Sequence, residues 1–96
     1  MALSFEWDSR KATANLKKHG VSFEEAASVF SDPLARIFDD TAHATEEMRE
    51  IIIGRSSQER LLLVSFREVL ANRIRLISAR AATKREQHDY EENIET

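Results

Sequence analysis

The spacing of apolar residues changes at Pro33, and that change constrains the fold more than any other feature of the chain. Before it, hydrophobic side chains recur at helical intervals. After it come three extended runs: Met48–Arg55 around Ile51-Ile-Ile53, Arg60–Arg67 around Leu61-Leu-Leu-Val64, and the alternating Arg73–Ala79. Two of these runs are apolar on both faces at their centres, as expected of central strands covered on at least part of each side. In Arg73–Ala79, Ile74 and Leu76 share one face while Arg73, Arg75 and Ile77 share the other.

The helical part carries its own boundary signals. Ala2–Trp7 reads as a short strand, and Asp8 is placed to cap the helix that follows. Ala12, Asn15, Leu16 and His19 fall on one helical face, with Gly20 at the position that favours a left-handed residue. Lys17, Lys18 and His19 complement the helix dipole in the last turn. Ser22-Phe-Glu-Glu25 predicts a capping box, in which the Ser hydroxyl and the Glu carboxylate satisfy two free amides. Phe23, Ala26, Ala27 and Phe30 form the stripe of this second helix, which Asp32-Pro33 ends.

Leu34–Asp39 predicts a weak strand, Asp40–Glu47 a polar, acidic turn or loop, and Ser56-Ser-Gln-Glu59 the turn between two central strands. Thr83-Lys-Arg-Glu86 is a second capping box, opening a helix that frays into the acidic tail from Glu91 to Thr96. The predicted order is β-α-α-β-β-β-β-α, an α+β fold with an antiparallel meander and helices packed on it. With 96 residues the chain suits a single domain, residues 1–96, with one modest core.

Composition narrows the class. The chain is 42% hydrophobic and 32% charged, with two Gly and one Pro, a globular balance. It contains no Cys, which removes disulfides and thiolate metal sites. No basic-apolar leader pattern stands at the N-terminus and no apolar run approaches the ~18 residues of a membrane span. The expectation is a soluble cytoplasmic protein with no membrane partner. Net charge is −3, yet from Arg49 to Arg85 nine Lys/Arg stand against three acids, a segment of +6 that leaves −9 elsewhere. Eight of the nine are Arg, whose planar fork suits bidentate phosphate contacts. Two readings of the segment stay open: a phosphate-binding face, or solvated strand faces laced with ion pairs.

Three stretches carry a family likeness: Phe5-Glu-Trp-Asp8, the Asn15-Leu-Lys-Lys-His-Gly20-Val-Ser-Phe-Glu-Glu25 run, and the strand closing on Ile77-Ser-Ala-Arg80 before the last helix. From about Phe5 to Tyr90 the chain resembles the BrnT family, small toxins of bacterial toxin–antitoxin pairs. The resemblance implies a RelE-like fold, metal-independent ribonuclease activity and neutralisation by a cognate BrnA-like antitoxin. It also implies an antitoxin whose DNA-binding part represses their operon, so that DNA is bound only through the complex. Relatives often carry a His-Thr-Glu-Arg-Gly-like turn before the last strand. Here the stretch is Ser65-Phe-Arg-Glu-Val-Leu-Ala-Asn72, without His or Gly, and Val69-Leu70 forms a small apolar patch.

The residues themselves point away from several chemistries. There is no Gly-rich phosphate loop and no nucleophile elbow, and His19, His43 and His88 lack metal-ligand spacing. Glu46-Glu47 beside His43 fits an acidic surface loop, and the acids cluster away from the Arg-rich strands. The expectation is no metal and no cofactor. RNA supplies its own nucleophile, the 2′-hydroxyl, so cleavage needs a base, cations on the pentavalent phosphorane and an acid for the leaving 5′-oxygen.

Arg80 is the first candidate for phosphate contact, at a strand end, with an ion pair to Glu86 as its structural alternative. Arg55 and Arg49 follow, at the ends of one strand face around Ile51 and Ile53. His19 is the imidazole set by a motif and a candidate acid or base; its alternative is a hydrogen-bonded, half-buried side chain. Lys18 joins the catalytic candidates, with a helix-end cation as its alternative. Arg73, Arg75, Lys84, Glu86 and Tyr90 are candidates for RNA binding. Glu86 and Tyr90 stack at i, i+4, so Tyr90 either meets a base or phosphate or anchors the helix to the sheet. Trp7 reads as core packing. The runner-up function is a non-catalytic RNA- or protein-binding module of the same fold.

Overall fold

The computed structural model describes residues 3–40 and 48–95. The predicted acidic segment with His43, Glu46 and Glu47 lies outside them. Along the described residues the order is β1 (Ser4–Glu6), α1 (Ser9–His19), α2 (Phe23–Ser28), a short 3-10 turn (Val29–Ser31), β2 (Arg36–Asp39), β3 (Glu50–Arg55), β4 (Leu61–Leu70), β5 (Arg73–Ala81) and α3 (Lys84–Glu95). The expected meander of β2 to β5 is present. β1 adds a fifth strand, parallel to β5, giving the order β1-β5-β4-β3-β2.

The caps behave largely as the sequence implies. Asp8 accepts from the amides of Arg10 (2.7 Å) and Lys11 (3.3 Å), and Gly20 closes α1 at φ 69°. Ser22 accepts from the Glu25 amide at 3.0 Å, but the other half of that capping box is not made. The Glu25 carboxylate is buried and instead takes the Arg60 guanidinium and the Ser56 hydroxyl (2.6 Å). A guanidinium is a stronger partner than a backbone amide. Hydrogen bonding from Arg60 outweighs burial and holds Glu25 below its usual carboxylate range.

The larger core lies between the sheet and α1–α2. Val21, Phe23, Ala26 and Val29 meet Ile52, Leu62, Val64, Phe66, Ile74, Leu76 and Ala79. Fully burying a side chain such as Leu62 contributes about 2–3 kcal/mol. Edge-to-face rings close the layer, Phe30 on Phe66 at 5.0 Å and Trp7 on Phe23 at 5.9 Å.

Gly54 lets the chain after the 3-10 turn lie against β3. A Cβ there would come within 2.8 Å of the Ala35 Cβ and 3.0 Å of the Asp32 carboxylate. Asp32 thereby receives the Arg55 amide at 2.7 Å, the Leu34 amide at 2.9 Å and the Tyr90 hydroxyl at 3.2 Å. Burial works against its charge, yet these donors leave its pKa lowered.

The opposite sheet face is covered only in part. Tyr90 of α3, 4% exposed, packs on Ile53, Leu61 and Leu63. α3 continues through Glu95, beyond the point where the sequence predicts fraying.

Candidate nucleic-acid interface on the open sheet face

Strand alternation and register define what this second face presents. One row is set by Glu6 opposite Arg75 and Arg75 opposite Arg67. The next runs Ser78–Ser65–Ile51–Phe38, and the one after it Arg80–Leu63–Ile53–Arg36. The rows are about 7 Å apart along the strands. α3 lies over the third row, and Ile51 of the second packs against the cluster that Tyr90 seals, while the first row stands beyond it. The pairing register shifts between Ser65 and Phe66, leaving Ile77 as the extra residue of β5. This bulge puts Arg75 and Ser78 on the same face although they are three positions apart.

The first row is electrostatically unusual. Arg67 and Arg75 are direct cross-strand neighbours, an arrangement that costs free energy unless countercharge is near. Arg75 receives that countercharge from Glu6, with Nε and Nη2 at 2.9 and 2.8 Å from its Oε2; Arg73 stands 3.9 Å from the same carboxylate. Arg67 is half-buried, and its Nε is buried with no hydrogen-bond partner among the described residues. Such a donor costs about 1–3 kcal/mol.

His19 and Arg80, far apart in sequence, meet at a small cavity of about 80 Å³ with Ser65, Ser78, Ile51 and Leu63. His19 is exposed, not half-buried as its structural alternative requires. α1 meets the sheet through Asn15 and Ala12, which turns the end of that face outward. Arg80 is held by Glu86 in a bidentate pair of 2.8 and 2.9 Å, and Glu86 also accepts from the Thr83 amide at 2.9 Å. Arg80 is the chief cause that lowers the Glu86 pKa to about 2. The ion pair foreseen as the alternative role of Arg80 is therefore present, with a side chain still 42% exposed.

The remaining candidates disperse. Arg55 is at the far end of β3, 3.7 Å from Glu91, beside a 530 Å³ cavity that also contains Asp32, His88, Tyr90 and Glu92. That cavity is the larger one, but its carboxylates would repel a phosphate, and the sheet face is the better anion site. Arg49 precedes β3 and is half-buried, its carbonyl accepting from the Asp40 amide. Lys18 and Lys84 are exposed on helix ends. The burial of Tyr90 withdraws its ring from any base, and the structure shows its alternative role as the anchor of α3.

Three residues join the face that sequence reading did not single out. Arg67 shares the parity of Leu61, Leu63 and Ser65, a signal present in the run itself. Glu6 and Phe38 owe their placement to strand pairing, which no local pattern announces. Among the described residues no three His, Cys, Asp or Glu converge as a metal-ligand set.

A family model described as the ribonuclease toxin BrnT of type II toxin–antitoxin systems matches residues 7–86. The chain belongs to this family. The crystal structure of the ribonuclease toxin BrnT from Brucella abortus is similar, with a TM-score of 0.67 at 26% identity, covering 86% of this chain and 100% of that one. No curated protein matches. The fold is thus the RelE-like α+β arrangement of the BrnT toxins. Among the described residues no helix is long and apolar enough to cross a membrane.

Proposed function

We propose that this chain is a metal-independent endoribonuclease toxin whose substrate lies across the open sheet face. The observation that carries this reading is the Arg67–Arg75 pair, two arginines directly opposite each other on neighbouring strands of the open face, one with a buried Nε that has no partner among the described residues. A phosphodiester placed there has its charge met by two planar forks, and the developing phosphorane gains more than the ground state does. The 2′-hydroxyl of the RNA attacks in line, leaving a 2′,3′-cyclic phosphate and a 5′-hydroxyl. Phe38, 47% exposed at the sheet edge, offers a flat apolar surface for a neighbouring base. His19 and Arg80 border the same path, His19 as a proton donor to the leaving oxygen.

Family membership supports a cognate BrnA-like antitoxin as partner, with DNA reached only through that complex. An antitoxin segment with acidic residues for the Arg row and an apolar side chain for Phe38 and Ile51 would occlude this face, charge complementarity speeding its capture. A second reading, a non-catalytic RNA-binding module, draws on the β4–β5 hairpin, which turns at Ala71–Asn72 without an imidazole.

Binding of a labelled RNA made uncleavable by 2′-deoxy substitution tests the interface common to both. Affinity is expected to fall steeply with salt. Arg67→Ala and Arg75→Ala should each weaken it about tenfold and lower the salt slope by about 0.7 per lost contact. Salt-insensitive binding, or variants that bind like the parent, would place the RNA elsewhere.

A further inference from the structure

The five strands place a single carboxylate on the open face, and it stands in the row of the two arginines. By register and alternation that face carries Ser4 and Glu6 from β1, Arg73, Arg75, Ser78 and Arg80 from β5, and only uncharged or basic side chains from β2, β3 and β4. Asp40, one residue beyond β2, is buried, and Glu86 of α3 is held by Arg80 and the Thr83 amide. The Glu6 side chain is 32% exposed, so it is reachable as well as paired.

A negative charge beside a phosphate site needs a reason. As a plain surface ion pair it would add little to the stability of the fold while repelling the substrate. The reaction assigned above lacks one group, a base for the 2′-proton. We propose that Glu6 is that base. The inference rests on the ribonuclease reading. Neighbouring strands are about 4.8 Å apart, so a phosphate bridging Arg75 and Arg67 lies one strand from Glu6, within reach of the ribose attached to it.

In the step, the Glu6 carboxylate takes the 2′-proton while the 2′-oxygen forms its bond to phosphorus and the bond to the 5′-oxygen breaks. The leaving oxygen takes a proton from His19 or water, and the Glu6 acid returns its own to solvent. No redox change or further reactant is involved. Arg75 and Arg73 hold the carboxylate in place, and Arg75 is shared between it and the phosphate.

Glu6→Gln separates a base from an orienting group, because the amide oxygen still accepts from Arg75. Single-turnover cleavage is read beside affinity for the 2′-deoxy-substituted RNA and thermal stability, with Glu6→Asp as the conservative variant. A base predicts cleavage slowed about 10²–10⁴-fold by Gln, affinity equal to or tighter than the parent, and partial recovery with Asp. Cleavage within threefold of the parent by the Gln variant would overturn the assignment and leave the ribonuclease reading intact. Equal loss of affinity and rate would also overturn it, making Glu6 a holder of Arg75. A parent protein that binds the analogue but leaves unmodified RNA whole would remove the ribonuclease reading and the base together.

Discussion

The Asn15 side chain accepts from the Ala79 N–H at 3.0 Å and donates to the Ala79 carbonyl at 2.9 Å and the Val21 carbonyl at 3.0 Å. It continues the edge of β5 where β1, paired only as far as Glu6 with Arg75, has ended. Buried backbone groups left without partners cost about 1–3 kcal/mol each. Asn15→Leu should therefore destabilise the fold by about 3 kcal/mol or more, with a Tm fall of roughly 12 °C or more. Thermal denaturation of the variant checks this, and a loss below about 1 kcal/mol would contradict it. The sequence shows Asn15 on the inner face of α1 but not its partner, 64 positions away. The same limit explains Glu25. Its spacing from Ser22 suggests a cap, whereas the group that claims its carboxylate, Arg60, is 35 positions distant.

At the scale of elements, α3 is fastened by few groups. It is polar over most of its surface, and among its tethers are Tyr90, the Glu86–Arg80 pair, the Arg55–Glu91 pair at 3.7 Å and the Arg36 bond to the Asn93 carbonyl at 2.6 Å. Glu86 has a folded pKa of about 2 against an ordinary 4.5. Its pair therefore stabilises the fold fully above the ordinary value and loses that contribution as pH falls from about 4.5 through 2. The contribution is of the order of 1–2 kcal/mol, reduced from the full linkage value because Arg80 is 42% exposed to solvent. Chemical denaturation at pH 7 and pH 3 should show Glu86→Gln less stable than the parent at the higher pH and the gap narrowing at the lower. A gap that is constant or grows in acid would contradict the assignment. Capping signals made α3 and both caps of α1 legible, and apolar runs located β3, β4 and β5. Arg67-Glu68 hid the length of β4. The extended run reads as ending at Arg67, but the strand continues to Leu70 and turns on Asn72 at φ 67°.

Across the whole molecule, the surplus of cations between Arg49 and Arg85 divides once the chain folds. Arg60 is committed to Glu25 and Arg80 to Glu86, and Arg55 stands beside Glu91 at the other end of β3. Arg67, Arg73 and Arg75 remain on the open face, with Glu6 as the countercharge of Arg73 and Arg75. A charge count can locate a basic segment but cannot assign which cations are spent within the fold, because that depends on partners brought in by pairing. This is why Arg67 and Glu6 stayed below notice in the sequence while Arg80 stood out. On the proposed function, this row cleaves RNA by its own side chains. The most direct measurement is cleavage of RNA by the purified protein in EDTA, beside the Arg67→Ala/Arg75→Ala double variant, with product ends identified. The expected result is 2′,3′-cyclic phosphate and 5′-hydroxyl ends that persist in EDTA and form at least about 10²-fold more slowly in the double variant. Cleavage that stops in EDTA and returns with Mg²⁺, or that the double variant performs like the parent, would contradict it.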